Sequence, residues 1–220
     1  MRRILLVVVA MILAASVAQA AGLDGIGQSG GYAVPNAQIS NRLSVNTTYT
    51  DLDTNSANQV GVTVGVLKHL EAGYTRTDNN LNTLHAKLGF KFMQETLDTA
   101  FALGVVANDV ESLSGLDTLD LYLAGQLTLK KLNNADLTLV LRSTDASGDR
   151  EYLGEALLGV EVVKGWAVYG EFAQKINAAS NQWDVFVQRD LGAAVLKAGL
   201  TDLAAGTDGQ FFLSASISGI

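Results

Sequence analysis

The chain has 220 residues, no cysteine, one proline and 22 glycines, and its 22 acidic against 15 basic residues give a net charge of −7. That balance excludes a nucleic-acid-binding role, which needs a basic face, and the lack of cysteine excludes disulfide bracing and thiolate metal centres. Mean hydropathy is positive, at +0.22, yet beyond residue 20 no run approaches the ~20 apolar residues of a spanning helix.

Residues 1–20, MRRILLVVVAMILAASVAQA, combine a basic start (Arg2, Arg3), an apolar run and Ala18-Gln19-Ala20 as a small-residue cleavage site. This is the pattern of a secretory signal peptide that is cleaved on export. Residues 21–36 are rich in glycine and hold Pro35; they read as a lead-in that either stays flexible or acts as a plug. Residues 37–220 read as one domain.

Alternation governs that domain. Val60, Val62, Val64 and Val66 stand at every second place, Lys68-His69 turns the chain, and Leu70, Ala72 and Tyr74 resume the pattern. A period of two marks a strand with unlike faces. The same reading places strands near 38–49, 59–67, 69–77, 83–93, 98–107, 117–129, 134–144, 151–163, 165–175, 181–189, 192–203 and 209–219. Tight turns (68–69, 94–97, 130–134, 164–165, 190–191) alternate with longer polar loops (53–58, 78–80, 108–115, 144–149, 177–180, 204–209). The expected fold is all-β: a single up-and-down antiparallel transmembrane β-barrel of about twelve strands in a bacterial-type outer membrane.

Sorting by parity separates two faces. One collects Leu84, Ala86, Leu88 and Phe90, then Leu119, Leu121 and Leu123, then Leu137, Leu139 and Leu141. The other collects Arg42, Glu71, His85, Lys87, Lys91, Asp120, Asp136, Arg142, Glu155, Glu161, Glu171, Asp184 and Lys197. These are expected to line the lumen, either as a salt-bridged seal or as a charged, selective passage. Glu161 and Glu171, on strands joined by Lys164-Gly165, are expected to approach across the hairpin. A soluble antiparallel sheet alternates too, but soluble edges carry charge to block pairing, and these apolar faces carry almost none. The aromatic residues of the apolar face also sort by height. Tyr49, Tyr74, Tyr152, Trp183 and Phe211 fall near the loop ends, and Phe92, Phe101 and Trp166 near the turn ends. Two girdles bracketing aliphatic residues match a lipid-facing band ~25 Å tall.

Four stretches, VPNAQISNRLSVNTTYTD (34–51), VGVTVGVLKHLEAGYTR (60–76), LHAKLGFKF (84–92) and TAFALGVV (99–106), resemble the YjbH-like outer-membrane barrel family. Pro35-Asn36-Ala37 matches the family's opening, Gly65–Gly73 with Glu71 its hairpin, Lys87 its lysine-bearing strand and Ala100–Val105 the strand after it. The likeness covers roughly a third of the chain beyond the signal segment. It implies an outer-membrane barrel associated with exopolysaccharide production or export, with polysaccharide, lipid and the barrel-assembly machinery as partners.

Chemistry beyond transport has few anchors. His69 and His85 are the two histidines; His69 sits in a tight turn, and His85 has inward parity with no partner defined by spacing. Asp51-Leu52-Asp53-Thr54-Asn55 opens like a calcium loop but has Ser56 where glycine is needed and Val62 where the closing glutamate belongs. The expectation is a non-enzymatic protein without cofactor or metal: a small passive channel, or a barrel supporting envelope or exopolysaccharide transport. A sealed structural barrel, an outer-membrane enzyme and a soluble periplasmic β protein are the alternatives. Acidic loops predict a mouth that attracts cations.

Overall fold

Alternating side chains become strands wherever one face finds an apolar medium and the backbone finds a neighbour, and both conditions are met around a full circle. The computed structural model describes residues 34–40, 42–52, 55–78, 82–108, 119–146, 149–176, 181–203 and 209–219. The expected signal segment and residues 21–33 of the lead-in lie outside these. The strands are β1 (Ser44–Leu52), β2 (Asn55–Leu67), β3 (Leu70–Thr77), β4 (Asn82–Met93), β5 (Leu97–Asn108), β6 (Leu119–Leu129), β7 (Ala135–Ala146), β8 (Asp149–Val163), β9 (Trp166–Lys175), β10 (Asn181–Asp190), β11 (Ala194–Thr201) and β12 (Gln210–Ser218). Each pairs antiparallel with the next, and β12 closes on β1. Closure leaves no edge strand and satisfies the backbone within the sheet.

The seam shows both faces. Val45 opposes Ile217 and Tyr49 opposes Leu213 on the outside, while Ser44 opposes Ser218, Asn46 opposes Ser216 and Thr48 opposes Ser214 on the inside. Thr48 Oγ1 donates to Ser214 Oγ at 3.0 Å. On β4 the outward Leu84, Leu88 and Phe90 are exposed and the inward Thr83, His85 and Lys87 are buried. Every predicted girdle aromatic points outward and is exposed, from Tyr49 to Phe211. Such rows would cost ~1.5–3 kcal/mol per large side chain in water, and a continuous apolar surface of this kind is solvated by lipid or by another protein. Tight turns use residues that tolerate positive φ: Asn133 and Asn134 between β6 and β7, and Gly165 between β8 and β9.

One strand start and two connections differ from expectation. The first strand starts at Ser44, not near 38, because residues 34–40 leave the wall and enter the barrel, where Val34, Ala37 and Ser40 are buried. The connections expected at 53–58 and 144–149 shrink to 53–54 and 147–148, since β1–β2 and β7–β8 run on. Polar residues there still find ladder partners, as Asp51 does opposite Ser56 and Thr144 opposite Glu151.

The core lies inside the barrel. Val34 and Ala37 share a buried cluster with Ala100, Ala102, Val106, Tyr122, Ala124, Val140, Leu157, Phe186 and Phe212, with Tyr169 packed against it. Large inward rings fit because a glycine stands opposite them on the paired strand. Tyr122 opposes Gly104, Tyr169 opposes Gly159 and Phe186 opposes Gly199. A Cβ added at Gly104 would lie 2.0 Å from Tyr122 Cζ, so the ring occupies the volume a side chain would take. Tyr169 stacks on Phe186 at 5.0 Å, and Phe186 meets Phe212 edge-on at 5.8 Å.

Candidate functional site: the barrel lumen

The lumen has two unlike walls. On β1, β2, β3 and β12 it is lined by buried hydroxyl and amide side chains, among them Ser44, Asn46, Thr48, Thr63, Thr75, Ser214 and Ser216. On β5 to β10 it is lined by the apolar cluster. Charged groups sit along this interior in four sets, each built from cross-strand neighbours.

The first set is Glu71, His85 and Lys87. Glu71 on β3 faces Lys87 on β4, and Lys87 Nζ lies 3.2 Å from Glu71 Oε1, both side chains fully buried. His85 Nε2 is 3.9 Å from Glu71 Oε1 and 3.5 Å from Thr63 Oγ1. Its imidazole lies over Gly73 on the facing strand. Glu71 Oε2 also accepts from the Ser40 backbone N at 2.6 Å, and Lys87 Nζ donates to Asn36 O at 3.5 Å.

The second set joins β7 and β8: Arg142 Nε lies 2.9 Å from Glu155 Oε1 and its Nη2 donates to Oε2 at 3.2 Å. The guanidinium is held on the carboxylate by the Nη2 hydrogen bond, with Nε in close ionic contact. The nearby Asp120 is buried and accepts from Asn108 Nδ2 at 3.3 Å. The third set marks the turn end, where Asp98 bridges Lys130 at 2.8 Å and Lys91 at 3.4 Å. Beside it Asp136 accepts from Thr128 Oγ1 and from Gln126 Nε2. In the fourth, Asp184 on β10 accepts from Thr201 Oγ1 at 2.7 Å, Asp202 N at 2.9 Å and Gln182 Nε2 at 3.1 Å. The buried Glu171 stands opposite it on β9, and Lys197 Nζ lies 5.6 Å from the Phe186 ring centre.

The thirteen residues singled out by parity therefore divide. Glu71, His85, Lys87, Asp120, Glu155, Glu171, Asp184 and Lys197 are buried inside, and Asp136 and Arg142 are half-buried on the same face. Lys91 and Glu161 sit at the turn rim, where Lys91 is exposed and Glu161 accepts from Gly165 N at 2.8 Å and Asn134 Nδ2 at 2.7 Å. Arg42 precedes β1 and is exposed, although its carbonyl still accepts from Gly65 N of β2 at 3.3 Å. Glu161 and Glu171 do not approach: the Lys164-Gly165 turn sets Glu161 opposite Ala167 and Glu171 opposite Leu157. Residues 34–36 belong to the lead-in read as either flexible or a plug, whereas residues 37–40 and the rings of Tyr122, Tyr169, Phe186 and Phe212 went unforeseen as lumen groups. Parity carried the signal for the rings, since Tyr122 alternates with Asp120 and Phe186 with Asp184.

No family model matches the chain, and no curated protein matches it in sequence. Solved structures match it in shape. A KdgM porin superposes with a TM-score of 0.56 at 8% identity, covering 80% of this chain and 99% of the porin. KdgM porin in complex with disordered oligogalacturonate gives 0.56 at 7%, with the same coverage of 80% and 99%. The outer membrane protein Omp33 of Acinetobacter baumannii gives 0.50 at 13%, covering 82% and 99%. The fold is that of the outer-membrane β-barrels. The likeness to the YjbH-like family rests on its four stretches of sequence between residues 34 and 106.

Proposed function

We propose that the protein is an outer-membrane channel for small solutes, shut in the conformation described here, and selective for cationic or neutral solutes over anions. The observation that carries this reading is the inversion of polarity. The outside is aliphatic between aromatic girdles, while the inside away from the turn rim holds more acids (Glu71, Asp120, Asp136, Glu155, Glu171, Asp184) than bases (Lys87, Arg142, Lys197). A low-dielectric wall around excess negative charge concentrates cations. Exopolysaccharide transport rests on the YjbH-like resemblance alone, and an uncharged or cationic oligosaccharide is the form that suits this lumen.

A sealed barrel is the second reading, favoured by the buried apolar cluster inside the barrel that includes Val34, Tyr122, Phe186 and Phe212. Planar-bilayer recording from the refolded chain under a salt gradient separates the two. Current steps with a reversal potential of cation sign are expected. Anion selectivity would overturn the assignment of the lumen charge, and silence from protein shown to be folded and inserted would favour the seal.

A further inference from the structure

Residues 34–40 lie across the path that a solute would take. We propose that this segment is a releasable plug and that the Glu71–Lys87 pair is its latch; the gating consequence rests on the channel reading, whereas the contact itself does not.

Three features hold the segment. Its backbone is tied at both ends to the wall: Ser40 N donates to Glu71 Oε2 at 2.6 Å, and Asn36 O accepts from Lys87 Nζ at 3.5 Å. Val34 and Ala37 are buried in the lumen cluster. The middle of the segment rests on Gly89 of β4, which makes a seat: a Cβ there would lie 2.9 Å from Ile39 Cδ1 and 3.2 Å from Ala37 O. Beneath it, Gln38 lines a cavity of about 10 Å³ with Lys91, Asp98, Thr99, Ala100, Gln126 and Thr128, room for about one water.

The same features make it removable. Residues 36–40 belong to no strand and Pro35 makes only an isolated bridge, so withdrawal breaks that one bridge and no extended ladder. The latch is also complete without its guest, because Glu71 and Lys87 are cross-strand partners that lie 3.2 Å apart in the wall itself. Departure of the segment costs each group a hydrogen bond that water replaces, and strands neither charge. A buried pair whose partner leaves with the guest would instead be left with an uncompensated charge. Here the wall keeps both members.

The chain contains no cysteine, so Ala37→Cys places a single reporter thiol in the buried segment. A membrane-impermeant thiosulfonate reads its exposure, and heat-modifiable migration on gels verifies the barrel. With the segment docked, modification proceeds only through the fraction of molecules that open. Ala37→Cys alone is therefore expected to react slowly. Adding Gly89→Val fills the seat with a good strand former and is expected to speed the reaction by at least about ten-fold. Adding Glu71→Ala with Lys87→Ala removes both anchors and leaves neither charge alone, with the same expected effect. If this last variant does not fold, the Gly89→Val comparison decides. Equal rates with and without Gly89→Val would overturn the plug, and equal rates with and without the anchors would overturn the latch. Bilayer recording of the Gly89→Val chain keeps the two ideas apart: a freed thiol with no current supports the plug and removes the channel.

Discussion

Arg142 and Glu155 show what a lumen charge is worth. Their pair is nearly enclosed, with Glu155 retaining 3% of its side-chain exposure. Removing one member leaves the other buried without its counter-charge, in a medium that solvates it poorly. Arg142→Leu is therefore expected to cost ~3–5 kcal/mol, whereas Arg142→Leu with Glu155→Leu recovers most of the loss. Urea unfolding of the folded barrel in micelles measures both, and the double-mutant cycle isolates the pair. Lys130, whose side chain is 37% exposed at the turn rim, is expected to give a smaller coupling with the buried Asp98 in the same cycle. A full-sized coupling there would place the rim in the dry part of the molecule.

At the scale of elements, β6 carries its instructions on both faces. Outward it shows Leu121, Leu123, Leu127 and Leu129. Leu123→Arg, near mid-strand, is expected to destabilise by ~2–4 kcal/mol in a bilayer, and Leu129→Arg, at the turn end, by ~0–1 kcal/mol. Similar losses at both sites would mean that the outer face does not meet lipid. Inward, Tyr122 fills the space over Gly104. Gly104→Ala forces the ring aside, for an expected ~1–3 kcal/mol, and Tyr122→Ala in the same chain should relieve the strain. The outward pattern was legible because apolar residues at every second place have one reading once the faces are separated. The inward rings were hidden by treating the lumen as uniformly polar. A glycine facing an aromatic on the next strand was the available sign, and it needs register, which depends on pairing far along the chain. The stretch Gln38–Leu43 misled for a related reason. Ile39 and Leu43 alternate like a strand, and Arg42 O and Leu43 O do accept from Gly65 N and Gly219 N, but only the position of β3 shows that Ser40 N bonds to the carboxylate of Glu71 and not to a neighbouring strand.

For the whole molecule, closure was readable from an even number of alternating segments, but the state of the lumen was not. Whether twelve strands enclose a passage or a core depends on how inward volumes sum across the barrel, and no local pattern encodes that sum. Selectivity follows from the same interior. In a Gly89→Val background, neutralising the facing acids with Glu171→Gln and Asp184→Asn is expected to move the reversal potential toward zero. An unchanged value would mean that the mouth, not the lumen, selects the ion.

The filling segment reads Val34-Pro35-Asn36-Ala37-Gln38-Ile39-Ser40 and has no ionisable side chain. Carrying one elementary charge through a potential of 100 mV involves ~2.3 kcal/mol; carrying these residues involves no electrical work. These seven residues give voltage no handle of their own. The direct way to open the valve is by touch, through a molecule that competes for the carboxylate of Glu71, the ammonium of Lys87 or the bare backbone at Gly89.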